Sequence, residues 1–321
     1  MRRRRVVLDT DIGTDADDAL CLALALASPE VDLVAVTTVT RDAARRAAIA
    51  RRLLDLAGRP DVPVYSGCER PIEPGGTFLW LGDEGDFVLA PGERLAHPGE
   101  HAVDALARLL AAEEGLELVA VGPLTNVATL LHREPSLARR VARLTVMGGH
   151  LRRVAYGEHV FPPGVDYNLC SDAAASMAVL RAGIPTTLVT ADVTLETRLA
   201  PEDLERIAAV GTPFHDALAA AVRAWTPHMR RIFRDMGATI APDNVAFLHD
   251  PLALAAVYDP SACRFEQAAI VPVIENGVLR TLEAPPGTPG ARPMRCATSV
   301  DAERFRAHFV SRLTSYRGGQ R

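Results

Sequence analysis

The chain has 321 residues, of which 48% are hydrophobic, 5% aromatic and 23% charged, with a net charge of -5. This composition excludes a disordered or fibrous chain, and so mild a negative charge gives neither nucleic acid nor an anionic membrane a reason to be the partner. All 35 basic residues are arginine, which excludes a Schiff-base lysine, a phosphate-cradling Walker lysine and any mechanism that titrates an ammonium.

In chain order, Arg2 to Arg5 form a solvated basic tail; only Val6-Val7-Leu8 follow before Asp9, too short an apolar run for a secretion signal. Short apolar or β-branched runs then alternate with Ala/Leu/Arg stretches of helical period. Strands are predicted at 5–8, 33–38, 62–65, 116–121, 143–147 and 186–189, and helices at 17–27, 42–57, 102–112, 126–132, 172–182 and 201–209. This alternation predicts an α/β fold, an open and mostly parallel sheet with helices on both faces, in a single domain over 1–321. Two stretches break the rhythm. Residues 71–99, rich in Pro and Gly, predict a long loop or lid, and 212–236 predict one long helix or two, followed by a loop. The segment 265–294 predicts a small antiparallel appendage. No apolar window reaches the roughly 18 residues of a membrane span. The cysteines Cys21, Cys68, Cys170, Cys263 and Cys296 have no metal-site spacing and read as reduced thiols of a cytoplasmic protein.

In such sheets ligands bind beyond the carboxyl ends of the strands, and the polar clusters of this chain fall there. The densest is Asp9-Thr10-Asp11-Ile12-Gly13-Thr14-Asp15-Ala16-Asp17-Asp18, after the first strand. Helix capping by Asp15 or Asp17 accounts for one or two of these carboxylates and leaves Asp9, Asp11 and Asp18 unexplained. A hard divalent cation is the simplest compensator of the like charge. An EF-hand does not fit, because the sixth and twelfth positions counted from Asp9 are Thr14 and Leu20.

The motifs Asp9-Thr10-Asp11-Ile12-Gly13, Asp17-Asp18-Ala19-Leu20, Gly122-Pro123-Leu124-Thr125-Asn126, Met147-Gly148-Gly149, Asp166-Tyr167-Asn168 and His249-Asp250, in that order, resemble the inosine–uridine-preferring nucleoside hydrolases. The resemblance implies a homodimer or homotetramer that holds one Ca²⁺ through Asp11, Asp18, the main-chain carbonyl of Thr125 and Asp250, with Asp9 orienting that shell. It implies Asp17, Asp166 and Asn168 on ribose hydroxyls, with Asp42, Trp80 and Met147 also at the substrate. Asp11 is then the base that activates water, and His249 the group that assists the departing nucleobase. Carboxylates around the sugar suit the oxocarbenium-like state of N-glycosidic hydrolysis.

The chain departs from the family pattern at several points. Ile12 replaces a proline, and Arg41-Asp42 replaces a Gly-Asn pair; Asp15-Ala16 is a two-residue insertion, so strict spacing puts Asp15 in the ligand role, whereas the local motif Asp17-Asp18-Ala19 favours the shifted pair and leaves Asp15 as a surplus cap. Val160 stands where an asparagine meets the ribose 5′ end, and the lid offers Asp83 where the family has histidine. Phe78, Trp80, Tyr156, Phe161, Trp225 and Phe233 are the rings available to stack on a base, with Trp80 and Phe161 nearest the matched motifs. Two other functions compete: a ribonucleoside-binding protein that has lost turnover, and a Mg²⁺ phosphohydrolase of the haloacid dehalogenase type. The second also begins with Asp-x-Asp but lacks its lysine here.

Overall fold

The computed structural model describes residues 3–73, 87–90, 93, 95, 99–156 and 158–319. Most of the lid expected over 71–99 lies outside these residues, including Phe78, Trp80 and Asp83.

The chain begins with β1 (Arg4–Thr10), α1 (Asp17–Ala27), β2 (Val31–Thr38), α2 (Ala43–Leu56), β3 (Val64–Ser66) and α3 (Ala102–Ala112). β4 (Glu117–Ala120), α4 (Thr125–Arg133) and β5 (Arg143–Met147) follow, then a hairpin of β6 (Val154–Tyr156) and β7 (His159–Phe161). Next come α5 (Tyr167–Ser171), α6 (Ala173–Arg181), β8 (Thr186–Val189), α7 (Ala191–Thr194), α8 (Pro201–Ala208) and α9 (Pro213–Asp235). The chain closes with α10 (His249–Tyr258), β9 (Cys263–Glu275), β10 (Val278–Ala284), β11 (Arg292–Val300) and α11 (Ala302–Ser315). The predicted strands and helices up to α8 are present, with ends moved by one or two residues. The 212–236 stretch is one helix despite Pro227, whose neighbour Thr226 donates its hydroxyl to the carbonyls of Val222 and Val245.

The sheet runs β10-β9-β11-β8-β5-β4-β1-β2-β3, and every pairing from β11 to β3 is parallel. The antiparallel segment is not the separate appendage the sequence suggested. β11 pairs in parallel with β8, so β9 and β10 extend the main sheet at that edge. Val6 and Leu8 of β1 pack into one apolar layer and Val7 into the other, the two-residue period of a strand buried on both faces. The first layer is built largely from α1, α2, α9, α10 and α11, the second from α3, α4 and α6. α1 is apolar all round from Ala19 to Leu26 and is correspondingly buried on every side. Among the described residues no helix is long and apolar enough to cross a membrane.

β2 and β3 lie on one side of β1, while β4 and β5 lie on the other. The chain therefore reverses direction between β1 and β4, the point where an open α/β sheet leaves a crevice beyond its strand ends.

Candidate active site

A cavity of about 500 Å³ occupies that crevice. Its floor is acidic and its side wall is aromatic. Asp11 follows β1, Asp17 and Asp18 open α1, and Asp250 stands in the first turn of α10, a helix packed against α1. One oxygen from each of Asp17, Asp18 and Asp250 lies within 4.8 Å of the others. Burial, and then repulsion from neighbouring carboxylates, push all three carboxyls well above the usual carboxylate range: Asp15 and Asp11 act on Asp17, Asp11 and Asp17 on Asp18, and all four on Asp250. Asp11 is also raised by burial, with the Arg46 guanidinium opposing the shift.

The sequence reading missed Arg46. It is almost wholly buried in α2, donating from Nε to the Thr40 carbonyl at 3.0 Å and from Nη1 to the Ile12 carbonyl at 3.1 Å. It thus ties down the Asp loop and supplies a fixed positive charge that opposes the raised pKa of both Asp11 and Asp18. The loop between β2 and α2, which it holds through the Thr40 carbonyl, carries Thr40 and Arg41 in left-handed backbone, at φ 74° and 55°. Such strain in non-glycine residues costs on the order of 1–3 kcal/mol each and persists only where surrounding structure enforces it. Thr10 was also missed: its hydroxyl donates to Asp18 and accepts from the Ile12 N–H.

Asp9 lies behind the floor. Its Oδ1 accepts from Thr37 at 2.6 Å and from Asn126 at 2.7 Å, whereas Oδ2 is buried with no partner among the described residues. Burial raises its pKa to about 6. The glycine of Gly122-Pro123 is dictated by this packing, since a Cβ there would sit 2.6 Å from Asp11 Oδ1 and 2.9 Å from its amide nitrogen.

Asp166 caps α5 by accepting from the Leu169 N–H at 3.0 Å, and burial raises it to about 6. Asn168 commits its amide nitrogen to the Val121 carbonyl at 2.7 Å and to the Met147 carbonyl and sulfur at 3.2 and 3.3 Å. That leaves its carbonyl oxygen as the group it can offer to a ligand. Met147, Asp166 and Asn168 all line the cavity. Asp15 is not the N-cap of α1, which is Ala16; it accepts from the Asp17 N–H at 3.2 Å in the turn before the helix and lines the cavity, and burial raises it to about 7.

Two expected residues stand elsewhere. Asp42 is an exposed cap of α2, accepting from the Arg45 N–H at 2.9 Å, and does not reach the cavity. Thr125 is buried at the start of α4, and its hydroxyl donates to Asp172 at 2.8 Å; the lining approaches it no closer in sequence than Val121. Trp80 lies outside the described residues. Val160 is 44% exposed on β7 and is not in the lining.

The aromatic wall runs in sequence along touching rings. Phe161 meets Phe233 at 5.9 Å, Phe233 stacks on Phe247 at 5.2 Å, and Phe247 lies 5.1 Å from the His249 ring. Trp225, Met229 and Ile232 of α9, with Met236 at its C-cap, complete that side. Their spacing is the ordinary helical one, so only the position of α9 over the crevice separates them from core residues. His249 keeps an edge open to the cavity while Nδ1 lies 2.6 Å from Thr194 Oγ1, and burial lowers its pKa to about 4. Its ring is therefore neutral near pH 7. His150 also lines the cavity: Nδ1 lies 3.1 Å from the Val165 carbonyl and so carries the proton, while Nε2 is buried with no partner among the described residues.

A profile of the family described as inosine-uridine preferring nucleoside hydrolase matches residues 6–307. The pyrimidine-specific ribonucleoside hydrolase RihA of Citrobacter koseri is 34% identical over 263 residues, covering 79% of each chain. RihA of Escherichia coli is 32% identical over 261 residues, again 79% of each. Among solved structures, the plant nucleoside hydrolase PpNRh1 superposes with a TM-score of 0.81 at 26% identity, covering 97% of this chain and 99% of its own. The purine-preferring ribonucleoside hydrolase from Gardnerella vaginalis gives 0.81 at 25% identity, covering 97% and 98%. The haloacid dehalogenase alternative falls with these matches. A near full-length profile match and the shared architecture bear out the resemblance read from the motifs: the chain belongs to the inosine-uridine preferring nucleoside hydrolase family, enzymes that hydrolyse the N-glycosidic bond of ribonucleosides.

Proposed function

We propose that this chain is a Ca²⁺-dependent hydrolase that splits a ribonucleoside into free base and ribose, with the sugar over the acidic floor and the base against the aromatic wall. The observation that carries this reading is the convergence of Asp17, Asp18 and Asp250 from two helices at one end of a cavity whose side wall is apolar.

The donor set fits a hard cation. Buried carboxylates brought together raise one another's pKa unless a positive charge joins them, and an all-oxygen protein cage suits Ca²⁺ better than Mg²⁺, which keeps more of its water. Asp17 joins Asp18 and Asp250 as a candidate ligand alongside Asp11, whereas the sequence resemblance had set Asp17 on ribose alone. When bound, the ion would neutralise the floor, orient ribose hydroxyls and favour ionisation of a water molecule.

The chain's own residues do the rest. Asp166 and the Asn168 carbonyl oxygen accept from ribose hydroxyls, and the carboxylates under the ring stabilise positive charge as the C1′–N bond breaks. Asp11, made more basic by burial, accepts a proton from the attacking water. Phe233 and Phe247 exclude water from the base, and the neutral His249 ring hydrogen-bonds it as it departs. Relatives divide between pyrimidine-specific and purine-preferring enzymes. A stacking wall suits either base class, because every nucleobase presents a π face.

The purified protein, supplied with Ca²⁺, should release reducing sugar from at least one of uridine, cytidine, inosine, adenosine and guanosine, and Asp11→Ala should not. Tight ribonucleoside binding without any released base would instead establish the binding-protein alternative. The family's association into dimers or tetramers is proposed for this chain too, and sedimentation would test it.

A further inference from the structure

We propose that Thr194 is a positioning residue for the reaction: its hydroxyl donates to His249 Nδ1 and so fixes the ring in the tautomer that presents an N–H, at Nε2, to the departing base. This rests on the hydrolase reading above and adds a residue that lies outside the motifs matched in this sequence.

The tautomer depends on a single hydroxyl proton. Thr194 Oγ1 has two neighbours, His249 Nδ1 at 2.6 Å and the Ala191 carbonyl at 3.4 Å. The ring nitrogen can act as donor or acceptor, but the carbonyl can only accept. If Nδ1 carried the proton, the hydroxyl would have to spend its own on Ala191, across a distance at the outer limit of an O–H···O bond, whose usual range is roughly 2.5–3.0 Å. Donation to Nδ1 instead places the proton on the short contact. A neutral imidazole that accepts at Nδ1 carries its hydrogen at Nε2.

The surroundings hold both partners in place. Thr194 is fully buried, and its helix is tied to the end of β5 by the Ala191 N–H, which donates to the Gly149 carbonyl at 2.7 Å. The Thr194 carbonyl accepts from the Thr197 hydroxyl at 2.7 Å, which stops the turn from rotating. Across the contact, the His249 ring leans on Phe247 at 31°. Apolar Phe247, Phe233, Leu195 and Ala191 line this part of the cavity, so among the described residues His249 is the polar side chain there that can meet a base nitrogen. Presented as an acceptor, it would repel the electron pair that develops on the base as the C1′–N bond breaks. Presented as a donor, it stabilises that pair.

The test compares Thr194→Val, which keeps the shape and removes the hydroxyl, with Thr194→Ser, which keeps the hydroxyl. Each is assayed on the best ribonucleoside found and on 4-nitrophenyl β-D-ribofuranoside, whose leaving group departs as a stable anion without a donor. Thr194→Val should lower kcat on the ribonucleoside by about 10- to 100-fold, with KM little changed, while 4-nitrophenyl riboside turnover stays close to wild type. Thr194→Ser should restore most of the loss. Long-range ¹H–¹⁵N spectra of the Ca²⁺-loaded protein, with His249 identified by its loss in His249→Gln, should show the ring protonated at Nε2, and Thr194→Val should shift it toward the other tautomer. Equal losses on both substrates, no rescue by serine, or a wild-type ring protonated at Nδ1 would overturn the assignment. Failure of the wild-type protein to cleave either riboside would overturn the hydrolase reading itself, and the spectrum would still decide the tautomer.

Discussion

The two ends of the cavity are built on opposite physical terms. At the acidic end, Asp11, Asp17, Asp18 and Asp250 are crowded at a cost in desolvation and repulsion, which the buried Arg46 opposes at Asp11 and Asp18. At the aromatic end, Phe161, Phe233 and Phe247 make ring contacts that favour folding with or without a ligand. One end is thus destabilised until something positive arrives, while the other is a preformed surface. Substitutions at the first should sacrifice activity while relieving strain in the metal-free protein. Substitutions at the second should weaken binding and stability together.

The largest expected effect is at the floor. Asp18→Asn or Asp250→Asn should lower kcat/KM by about 10³-fold or more, by removing both cation affinity and transition-state charge stabilisation. The same variants, stripped of metal, should melt at or above the wild-type temperature in calorimetry. Lower melting for both would show that the floor carboxylates stabilise the fold without the ion, and the two ends would then not differ in this way. His249→Ala lies between the two ends and should slow nucleoside turnover by about 10²- to 10⁴-fold while leaving Ca²⁺ affinity within error of wild type in a calorimetric titration. On the wall, Phe233→Ala should raise KM by about 10-fold and cost on the order of 3–5 kcal/mol in a denaturant titration.

The contrast also has a pH signature. In the metal-free protein Asp9 and Asp166 titrate near 6 and Asp15 near 7, all above the ordinary 3.8. The folded state then holds protons that the unfolded chain has lost, so stability falls as pH rises between about 4 and about 7. The melting temperature of stripped protein should drop across that window, and Ca²⁺ should restore more of it at pH 8 than at pH 5. A melting temperature that rises with pH would contradict these shifts. The smallest effect is expected at Asp42, whose replacement by alanine should leave kcat/KM unchanged and cost about 1 kcal/mol as a lost helix cap.

These ends also differed in how far the sequence revealed them. The floor was legible because its repulsion is local: five aspartates in Asp9 to Asp18 need a partner whatever the fold. The sheet up to β8 was legible from its alternating periods. Arg46, Thr10 and Thr194 were not, because each acts through a contact between elements that no spacing encodes. The wall was half legible. Trp225 and Phe233 were considered, but Met229, Ile232 and Met236 follow the same helical period as any buried face, and Phe247 stands in no matched motif. Asp42 was misplaced for a related reason: an aspartate ahead of a helical run is both a natural cap and a natural ligand, and only the exposed position of α2's first turn chooses between them. The antiparallel β9–β10 pair was recognised, but its attachment through β11 to β8 depends on a crossover invisible in local composition.

The central claim is that the acidic floor holds a cation on which hydrolysis of a ribonucleoside depends. It is tested most directly by stripping the protein of metal and titrating Ca²⁺ back while base release is followed in the same cuvette. Turnover should be absent at the start and rise to a plateau at one Ca²⁺ per chain, with no rise in Asp18→Asn. Full turnover by metal-free protein, or saturation with Ca²⁺ without any release of base, would contradict it.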